Sequence, residues 1–344
     1  MLKQWRWLML VLTGLTLFGM ILYWYLSADQ SSLQASSVPN NLFVNGHEPI
    51  TPIPLDLKLD VHKVALGKRL FHDPQLSSDN TISCAYCHNL TNGGMDSLPR
   101  SFGIGGKEGV INTPTVFNSG FNYRQFWDGR ATSLEEHIDF PNSPIVNSCD
   151  MGARWDEIVA SLDMDVDYYR DFAAIYPEGI QPSSIKDAIA TFERSLITPN
   201  GKFDRYLRGD KNALDNEELI GYSLFKNLGC VTCHQGMNVG GNMYEKLGLF
   251  KNYFENRGNV QESDYGRYNV THIEEHRYEF RVPSLRNVAL TAPYFHDASA
   301  STLEEAVAIM GEYQLGVDLS DDEIAKIVKF LNTLTGLYQE DTSK

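Results

Sequence analysis

The feature that most constrains this 344-residue chain is a pentapeptide that occurs twice, once in each half. The first copy, CAYCH, occupies residues 84–88, and the second, CVTCH, occupies residues 230–234. Two thiols at this spacing can add to the two vinyl groups of one haem, and the adjoining histidine then reaches the iron as its proximal ligand. The pattern therefore predicts two covalently attached haems, held by Cys84, Cys87, His88, Cys230, Cys233 and His234.

A zinc site and a redox-active dithiol are the other common uses of paired cysteines. One tetrahedral zinc ion takes four thiolates, but it would need neither His88 nor His234. A thioredoxin-like motif would not occur twice with histidine attached. We therefore favour haem attachment, and we expect the fifth cysteine, Cys149, to be a small buried hydrophobic residue.

The N-terminal segment 1–28 has the composition of a membrane segment. Lys3 and Arg6 precede the run 8–26, which contains no charged residue. At about 1.5 Å per residue, this run nearly crosses a hydrocarbon core of roughly 30 Å. We expect residues 1–28 to be an uncleaved anchor in the bacterial inner membrane, with 29–50 as a linker and the remainder facing the periplasm. A cleaved signal peptide is the alternative, which would release the chain to the periplasm.

The balance of charge restricts the class of partner. The formal net charge is −15, from 44 acidic and 29 basic side chains. Nucleic acid is not an expected partner, because binding it needs a basic face. The acidic surface suits either a basic partner protein or solubility alone.

The chain also repeats itself downstream of each pentapeptide. Segments 114–118, 126–128 and 134–136 match 283–287, 295–297 and 303–305, and one constant offset along the chain relates all three pairs. The repeat predicts a mainly α fold with two cytochrome c-like haem domains in tandem, residues 51–200 and 201–338, after an N-terminal transmembrane helix. Helical periodicity places helices at 60–71, 154–175, 183–196, 215–227, 302–311 and 321–336. Capping boxes are expected at Ser301–Glu304, Asp215–Glu218 and Ser320–Glu323.

The two halves differ in the candidate for a sixth iron ligand. Met310 can cap the second iron, although Met237 and Met243 are alternatives and Met310 can equally belong to the core. Position 141, which matches Met310 in the first half, is proline and cannot bind iron. The first iron is therefore expected to be open, or closed by His137. An open iron can activate peroxide if a nearby group moves the proton. Asp150 and His137 are the candidates, unless they are ordinary surface residues.

Residues 50–338 resemble the bacterial di-haem cytochrome c peroxidases. The resemblance is carried by FWDGRA at 126–131, LEE at 134–136, YFHD at 294–297, and Met310 followed by QLG at 314–316. It implies reduction of hydrogen peroxide at the first haem, with electrons entering at the second, whose iron Met310 binds. It further implies that Trp127 lies between the haems as an electron conduit, and that a calcium ion is bound by Asn112, Thr291 and Pro293.

The same resemblance indicates the partners. The expected electron donor is a small cytochrome c or a copper protein, and the anchor also permits a quinol. The resemblance also leaves open whether the protein forms a homodimer.

Three positions depart from the family pattern. Many members carry a histidine that blocks the peroxidatic iron, and Ile104 occupies that position here. This difference predicts a five-coordinate first haem that needs no reductive activation. Asp150 occupies the place of the catalytic glutamate and is one methylene shorter, while His137 occupies the place of a glutamine. Either Asp150 or His137 can therefore supply the acid–base group.

Two other functions remain open at this point. One is that of the di-haem enzyme that matures methylamine dehydrogenase, in which a tyrosine replaces the methionine on the second iron. Met310 argues against this function, although Tyr313 is close in sequence. The other is that of a non-catalytic electron carrier, which requires both irons to be six-coordinate.

Overall fold

The computed structural model describes residues 48–139 and 151–338. The predicted anchor, most of the linker, Cys149 and Asp150 lie outside these residues. Within the described ranges, no helix combines the length and the apolar character needed to span a bilayer. Chain contacts separate Met1–Glu48 from Pro49–Lys344, and every element below belongs to the second unit.

The described chain is mainly helical, which confirms the mainly α part of the predicted fold class; the predicted transmembrane helix lies outside the described residues. A two-stranded antiparallel sheet pairs β1 (Tyr244–Lys246) with β2 (Glu279–Arg281). A π-helix spans Met310–Leu315, directly after the α-helix that ends at Ile309. The helices, in chain order from α1 to α12, are Val61–Phe71, Cys84–Cys87, Leu134–Ile138, Trp155–Asp163, Val166–Ile175, Pro182–Ser195, Lys202–Leu207, Asn216–Asn227, Tyr253–Arg257, Tyr268–Thr271, Leu303–Ile309 and Asp321–Asn332.

The prediction of one helix over 154–175 is wrong. Helix α4 ends at Asp163, and α5 begins at Val166. Asp165 separates them because its carboxylate accepts hydrogen bonds from the N–H groups of Asp167 and Tyr168, at 2.9 and 3.1 Å. An aspartate in this capping position starts a new helix.

The predicted capping boxes are correct for two helices and wrong for a third, whose N-cap lies one residue later than predicted. The boxes at Asp215–Glu218 and Ser320–Glu323 are both present. At α11, however, the N-cap is Thr302, whose hydroxyl accepts a hydrogen bond from the N–H of Glu305 at 3.1 Å. Ser301 instead donates its hydroxyl to the Glu305 carboxylate, at 3.0 Å.

Each half is built on two helices that cross at a glycine. Helix α1 crosses α6 at Gly67, where an added Cβ would lie 1.9 Å from the carbonyl oxygen of Ala188. Helix α8 crosses α12 at Gly221, where an added Cβ would lie 1.9 Å from the carbonyl oxygen of Lys326. Any side chain at either glycine would therefore push the helices apart. The matching geometry makes the two halves structural repeats.

The constant offset seen in the sequence is also present in the backbone. Asn118 and Asn287 both adopt left-handed conformations, with φ of 60° and 59°. Isolated β-bridges join Gln125 to Ala131 and, at the same offset, Tyr294 to Ala300. The short helices α3 and α11 follow these bridges and begin at matching positions, Leu134 and Leu303.

A buried hydrogen-bonded group at Thr198 joins the two halves. The Asn118 side-chain amide donates to the Thr198 hydroxyl at 2.8 Å, and that hydroxyl donates to Asn287 Oδ1 at 3.3 Å. The two asparagines occupy matching positions of the repeat. Thr198 therefore connects equivalent loops of the two halves through one side chain.

The beginning of the described chain packs on the second half. The N–H of Ile53 donates to Asp204 Oδ1 at 3.0 Å, and Arg286 forms an ion pair with the same oxygen at 3.0 Å. Ile50 belongs to the hydrophobic core of the second half. The boundaries 51–200 and 201–338 stay predictions.

Candidate haem sites

The second pentapeptide, CVTCH, borders a large cavity. Cys230, Cys233, His234 and Met310 all line it. The space between these residues that no atom fills, with the open mouth of the cavity included, is about 1730 Å³. Much of the remaining lining is aliphatic, including Leu285, Val288, Leu303, Val307, Ile327 and Leu331. Two thiols, an imidazole and a thioether around an apolar cavity fit a covalently attached haem.

His234 is prepared to bind iron. Its Nδ1 lies 3.3 Å from the carbonyl oxygen of Val239, a contact that leaves Nε2 for a metal. Burial lowers the pKa of His234 to about 4. The imidazole is therefore neutral at pH 7, as a metal ligand must be.

Met310 begins the π-helix that follows α11. This π-helix is held against β1, because Gln314 donates its side-chain amide to the carbonyl oxygen of Lys246 at 3.0 Å. Short π-helical segments are frequent at functional sites. Among the described methionines, Met310 is the one that lines the cavity. The ring of Tyr313 does not line it and packs on Tyr253 instead, with 5.2 Å between ring centroids.

The first CAYCH pentapeptide forms the short helix α2. Cys84 packs against the core of the first half, and Cys87 is buried within the chain. Burial raises the pKa of the Cys84 thiol, and it raises the pKa of Cys230 to about 11. Reactive dithiols have depressed pKa values instead. These surroundings do not favour a thioredoxin-like use of the cysteines.

His88 and His234 have similar backbone surroundings, although Nδ1 of His234 contacts Val239 whereas Nδ1 of His88 has no hydrogen-bond partner among the described residues. The backbones of Gly94 and Pro114 favour protonation of His88, while those of Val239 and Pro283 do the same for His234. Burial outweighs them and lowers the pKa of His88 as well. Pro114 and Pro283 stand at matching positions of the sequence repeat. The first site therefore offers the same donor set as the second, two thiols and a neutral imidazole, which fits a second haem.

His137, on helix α3, lies near His88. Burial, with smaller contributions from the charges of His88, Arg130 and Arg281, lowers the pKa of His137 to about 3. Its ring packs on Phe126 with 4.3 Å between centroids. Its Nδ1 is buried and has no hydrogen-bond partner among the described residues. The structure thus brings a neutral imidazole to the first site.

Ile104 packs against the same core, together with Cys84. The side chain of Ile104 contacts Gly152, close to the point where the described residues resume. Met151 is buried there, and its carbonyl oxygen accepts a hydrogen bond from the Ser78 N–H at 2.9 Å. Asp150 immediately precedes Met151 and lies outside the described residues. The predicted role of Asp150 therefore stays a prediction, although its neighbour belongs to the first core.

Trp127 connects the surroundings of the two sites. It lines the cavity of His234, and it directly follows Phe126, on which His137 packs. The indole Nε1–H donates to the carbonyl oxygen of Asn112 at 2.9 Å, and the Trp127 carbonyl oxygen accepts a hydrogen bond from the Arg281 N–H at 2.8 Å. These bonds hold the indole in one orientation.

The predicted calcium ligands lie beside Trp127. Asn112, Thr291 and Pro293 line the same cavity. The Asn112 side-chain N–H donates to the carbonyl oxygen of Leu98 at 2.9 Å, which leaves Oδ1 for another partner. A second polar group, which was not predicted from the sequence, lies in this region.

That group is a buried ion-pair network next to Trp127. Asp264, His296 and Asp297 have ligand atoms within 4.8 Å of one another. Arg257, however, donates to Asp264 Oδ1 at 3.0 Å and also pairs with Asp297. The guanidinium occupies the place that a cation would need, so this cluster is an ion-pair network. In the sequence, the YFHD motif at 294–297 could have indicated this network, because it contains His296 and Asp297.

Two pentapeptides of the haem-attachment pattern and a thioether that lines one of the two sites are typical of a di-haem c-type protein. The chain belongs to the di-haem cytochrome c peroxidase family, whose model matches residues 61–212. It is 46% identical over 292 residues to the cytochrome c551 peroxidase of Nitrosomonas europaea, covering 84% of this chain and 85% of that protein.

Two further similarities bear on the assignment. The chain is 49% identical over 293 residues to the cytochrome c peroxidase Ccp of Escherichia coli K12, covering 85% of this chain but 62% of that longer protein. A crystal structure of a MauG-like protein associated with microbial copper homeostasis superimposes with a TM-score of 0.71 at 29% identity, covering 86% of this chain and 95% of that one. The family predicted from the motifs is thereby confirmed.

Proposed function

We propose that this protein reduces hydrogen peroxide to water at the first haem, with electrons that enter at the second. The observation that carries the proposal is the difference between the two sites. Met310 lines the second cavity together with His234. Around the first site, the corresponding candidates are an alkyl side chain, Ile104, and a neutral imidazole, His137. One site is therefore suited to electron transfer, and the other to a reactant.

The residues of the first site handle the proton. A bound haem iron with an open position supplies peroxide binding and the electrons for O–O cleavage. Asp150 takes the proton from one peroxide oxygen and returns it to the other, with a general acid–base contribution of about 10²–10⁴ in rate. His137 is neutral at pH 7, so it can hold the water molecule that shares in proton transfer through its buried nitrogen.

Trp127 carries electrons from the second site to the first. Its place in the lining of the second cavity and its position next to Phe126, on which His137 packs, support this role, and the hydrogen bond to Asn112 fixes the indole. A calcium ion bound by Asn112, Thr291 and Pro293 would stabilise the same segment. Metal analysis of the purified protein should then find about one calcium per chain. Its removal by a chelator should slow electron transfer between the haems, and calcium should restore the rate.

The proposed setting is the periplasmic face of the inner membrane. The uncharged run 8–26 after Lys3 and Arg6 supports an anchor there. The donor is a small cytochrome c or copper protein, or a quinol in the membrane. A net charge of −15 supports a basic donor protein.

The test is steady-state consumption of hydrogen peroxide by the di-haem protein with a reduced cytochrome c. We expect continuous turnover, with two cytochromes oxidised for each peroxide. The variant Met164→Leu, at an exposed position remote from the motifs, serves as a matched control. Peroxide binding without turnover would favour a MauG-like oxidation of a protein substrate. Failure of the ferric protein to bind peroxide or cyanide would favour an electron carrier. Either result would overturn the proposal.

A further inference from the structure

Glu193 is a buried acid for which the proposed mechanism has no use. It lies on α6 with 4% of its surface exposed. Its Oε2 is buried and has no hydrogen-bond partner among the described residues. An unpaired carboxylate is disfavoured in such surroundings, so burial by itself favours the neutral form of the group. Buried acids of this kind are candidates for a functional role.

Its position matches that of a residue that lines the second cavity. Helix α6 crosses α1 at the glycine that faces Ala188, and helix α12 crosses α8 at the glycine that faces Lys326. Ala188 and Lys326 are therefore structurally equivalent. Counted forward from them along each helix, Glu193 matches Leu331, and Leu331 lines the cavity of the second haem site. Glu193 also lies close enough to Cys84 for its charge to raise the pKa of that thiol. It therefore occupies in the first site the place that a leucine occupies in the second.

The charged groups around Glu193 are already paired. Arg194 favours the ionised form of Glu193 and Glu135 opposes it, but these two form an ion pair with each other at 2.7 Å. On the neighbouring helix α1, the basic groups Lys63 and Arg69 pair with acids of α6 and α5, Asp187 and Asp171, at 2.6 and 2.7 Å. Burial therefore dominates, and it raises the pKa of Glu193 to about 8.

We propose that Glu193 stores a proton for the first haem, taking it up when an electron arrives there and releasing it when the electron leaves. The positive charge of a ferric haem beside Glu193 favours the carboxylate, and the arriving electron removes that charge, so that burial in a medium of low dielectric constant then favours the neutral carboxyl. The carboxylate gains one proton from solvent for each electron, so the net charge is unchanged. Reduction of one peroxide consumes two electrons and two protons, and Glu193 delivers one of these protons to the peroxide-reducing site. The inference rests on the proposed function for this last step alone.

A spectroelectrochemical titration of the holoprotein tests the coupling without peroxide. The potential of each haem is followed from roughly pH 6 to pH 10, around the range in which a buried glutamate can titrate. We expect the first haem to take up one proton per electron in this range, while the second haem, next to Leu331, shows no such coupling. Glu193→Gln keeps the shape of the side chain and should abolish the coupling. Glu193→Leu copies the second site and should do the same. Glu135→Gln, at the paired acid, should keep it.

Redox-difference infrared spectra add a direct readout. A protonated-carboxyl band should change with the redox state of the first haem and disappear in Glu193→Gln. Coupling that persists in both Glu193 variants, or that is absent from the wild-type protein, would overturn the inference. Peroxide turnover is assayed separately. Turnover with no coupling refutes the role of Glu193 alone, and coupling with no turnover refutes the peroxidase proposal alone.

Discussion

Ile104 and Gly152 are in direct contact: a Cβ added at Gly152 would lie 2.2 Å from Cδ1 of Ile104. Gly152 has φ of +62°, a conformation that glycine adopts at no steric penalty. The contact puts an alkyl group against the segment that begins right after Asp150. At this position the chain has no imidazole to offer an iron.

The first prediction concerns this position. Ile104→His should supply the nitrogen ligand that the wild-type residue cannot. We expect the ferric first haem of this variant to become low-spin and peroxide turnover to be slow until the second haem is reduced. Ile104→Leu, which keeps an alkyl side chain, should behave like the wild-type protein. The measurement is the ferric absorption spectrum, together with turnover before and after reduction.

The second prediction concerns Asp150. Asp150→Asn removes the titrating group and should lower peroxide turnover by about two orders of magnitude or more, as expected for a general acid–base residue. Asp150→Glu should retain much of the activity, because the carboxyl group remains. Asp163→Asn, at an exposed position at the end of α4, is the matched control. Unchanged turnover in Asp150→Asn would remove this residue from the mechanism.

The third prediction follows from the low pKa of His137. In the unfolded chain, a histidine titrates near about 6.5, whereas burial lowers the pKa of folded His137 to about 3. The folded protein therefore binds fewer protons, so the free energy of unfolding falls as the pH falls below about 6.5, by at most about 1.4 kcal/mol per pH unit from this group. His137→Gln should weaken that dependence.

Chemical denaturation between pH 7 and about pH 5 measures the effect. His62→Gln, at an exposed histidine, is the control and should follow the wild-type dependence. Equal pH dependence of the wild-type protein and His137→Gln would show that His137 is not buried in its neutral form.

The fourth prediction concerns Met310. Thioether ligation raises the reduction potential of a haem. Met310→His should therefore lower the potential of the second haem and slow the oxidation of the donor. Met243→Leu, at a methionine that does not line the cavity, should leave the potential unchanged. A potential that responds to Met243 and not to Met310 would show that the ligand has been misassigned.

The features that the sequence reveals are those set by covalent chemistry or by a constant spacing. The two pentapeptides predict haem attachment because thioether formation needs their spacing. The constant offset between the matching segments predicts paired loops, and Asn118 and Asn287 adopt the same backbone conformation in them.

Other features depend on contacts that no local pattern encodes. The match of Glu193 to Leu331 is at a shorter offset than that of Asn118 to Asn287, because the loops between the paired segments differ in length. A search at a single offset therefore misses it. The packing of Ile53 on Asp204 likewise depends on residues far apart in the chain.

One further feature also depends on contacts between distant residues, and another could have been recognised from the sequence. The ion pairs of Arg257 with Asp264 and Asp297 join three separate segments of the chain. The break between α4 and α5 is different, because Asp165 is a recognisable cap that the continuous apolar pattern concealed.

Electron paramagnetic resonance of the fully oxidised holoprotein tests the central claim most directly. The inequality of the two sites predicts one high-spin haem, at His88, and one low-spin haem, at His234 and Met310. Addition of cyanide should convert the high-spin signal alone. Two low-spin signals in the untreated protein would mean that a side chain closes the first iron, which would contradict the account.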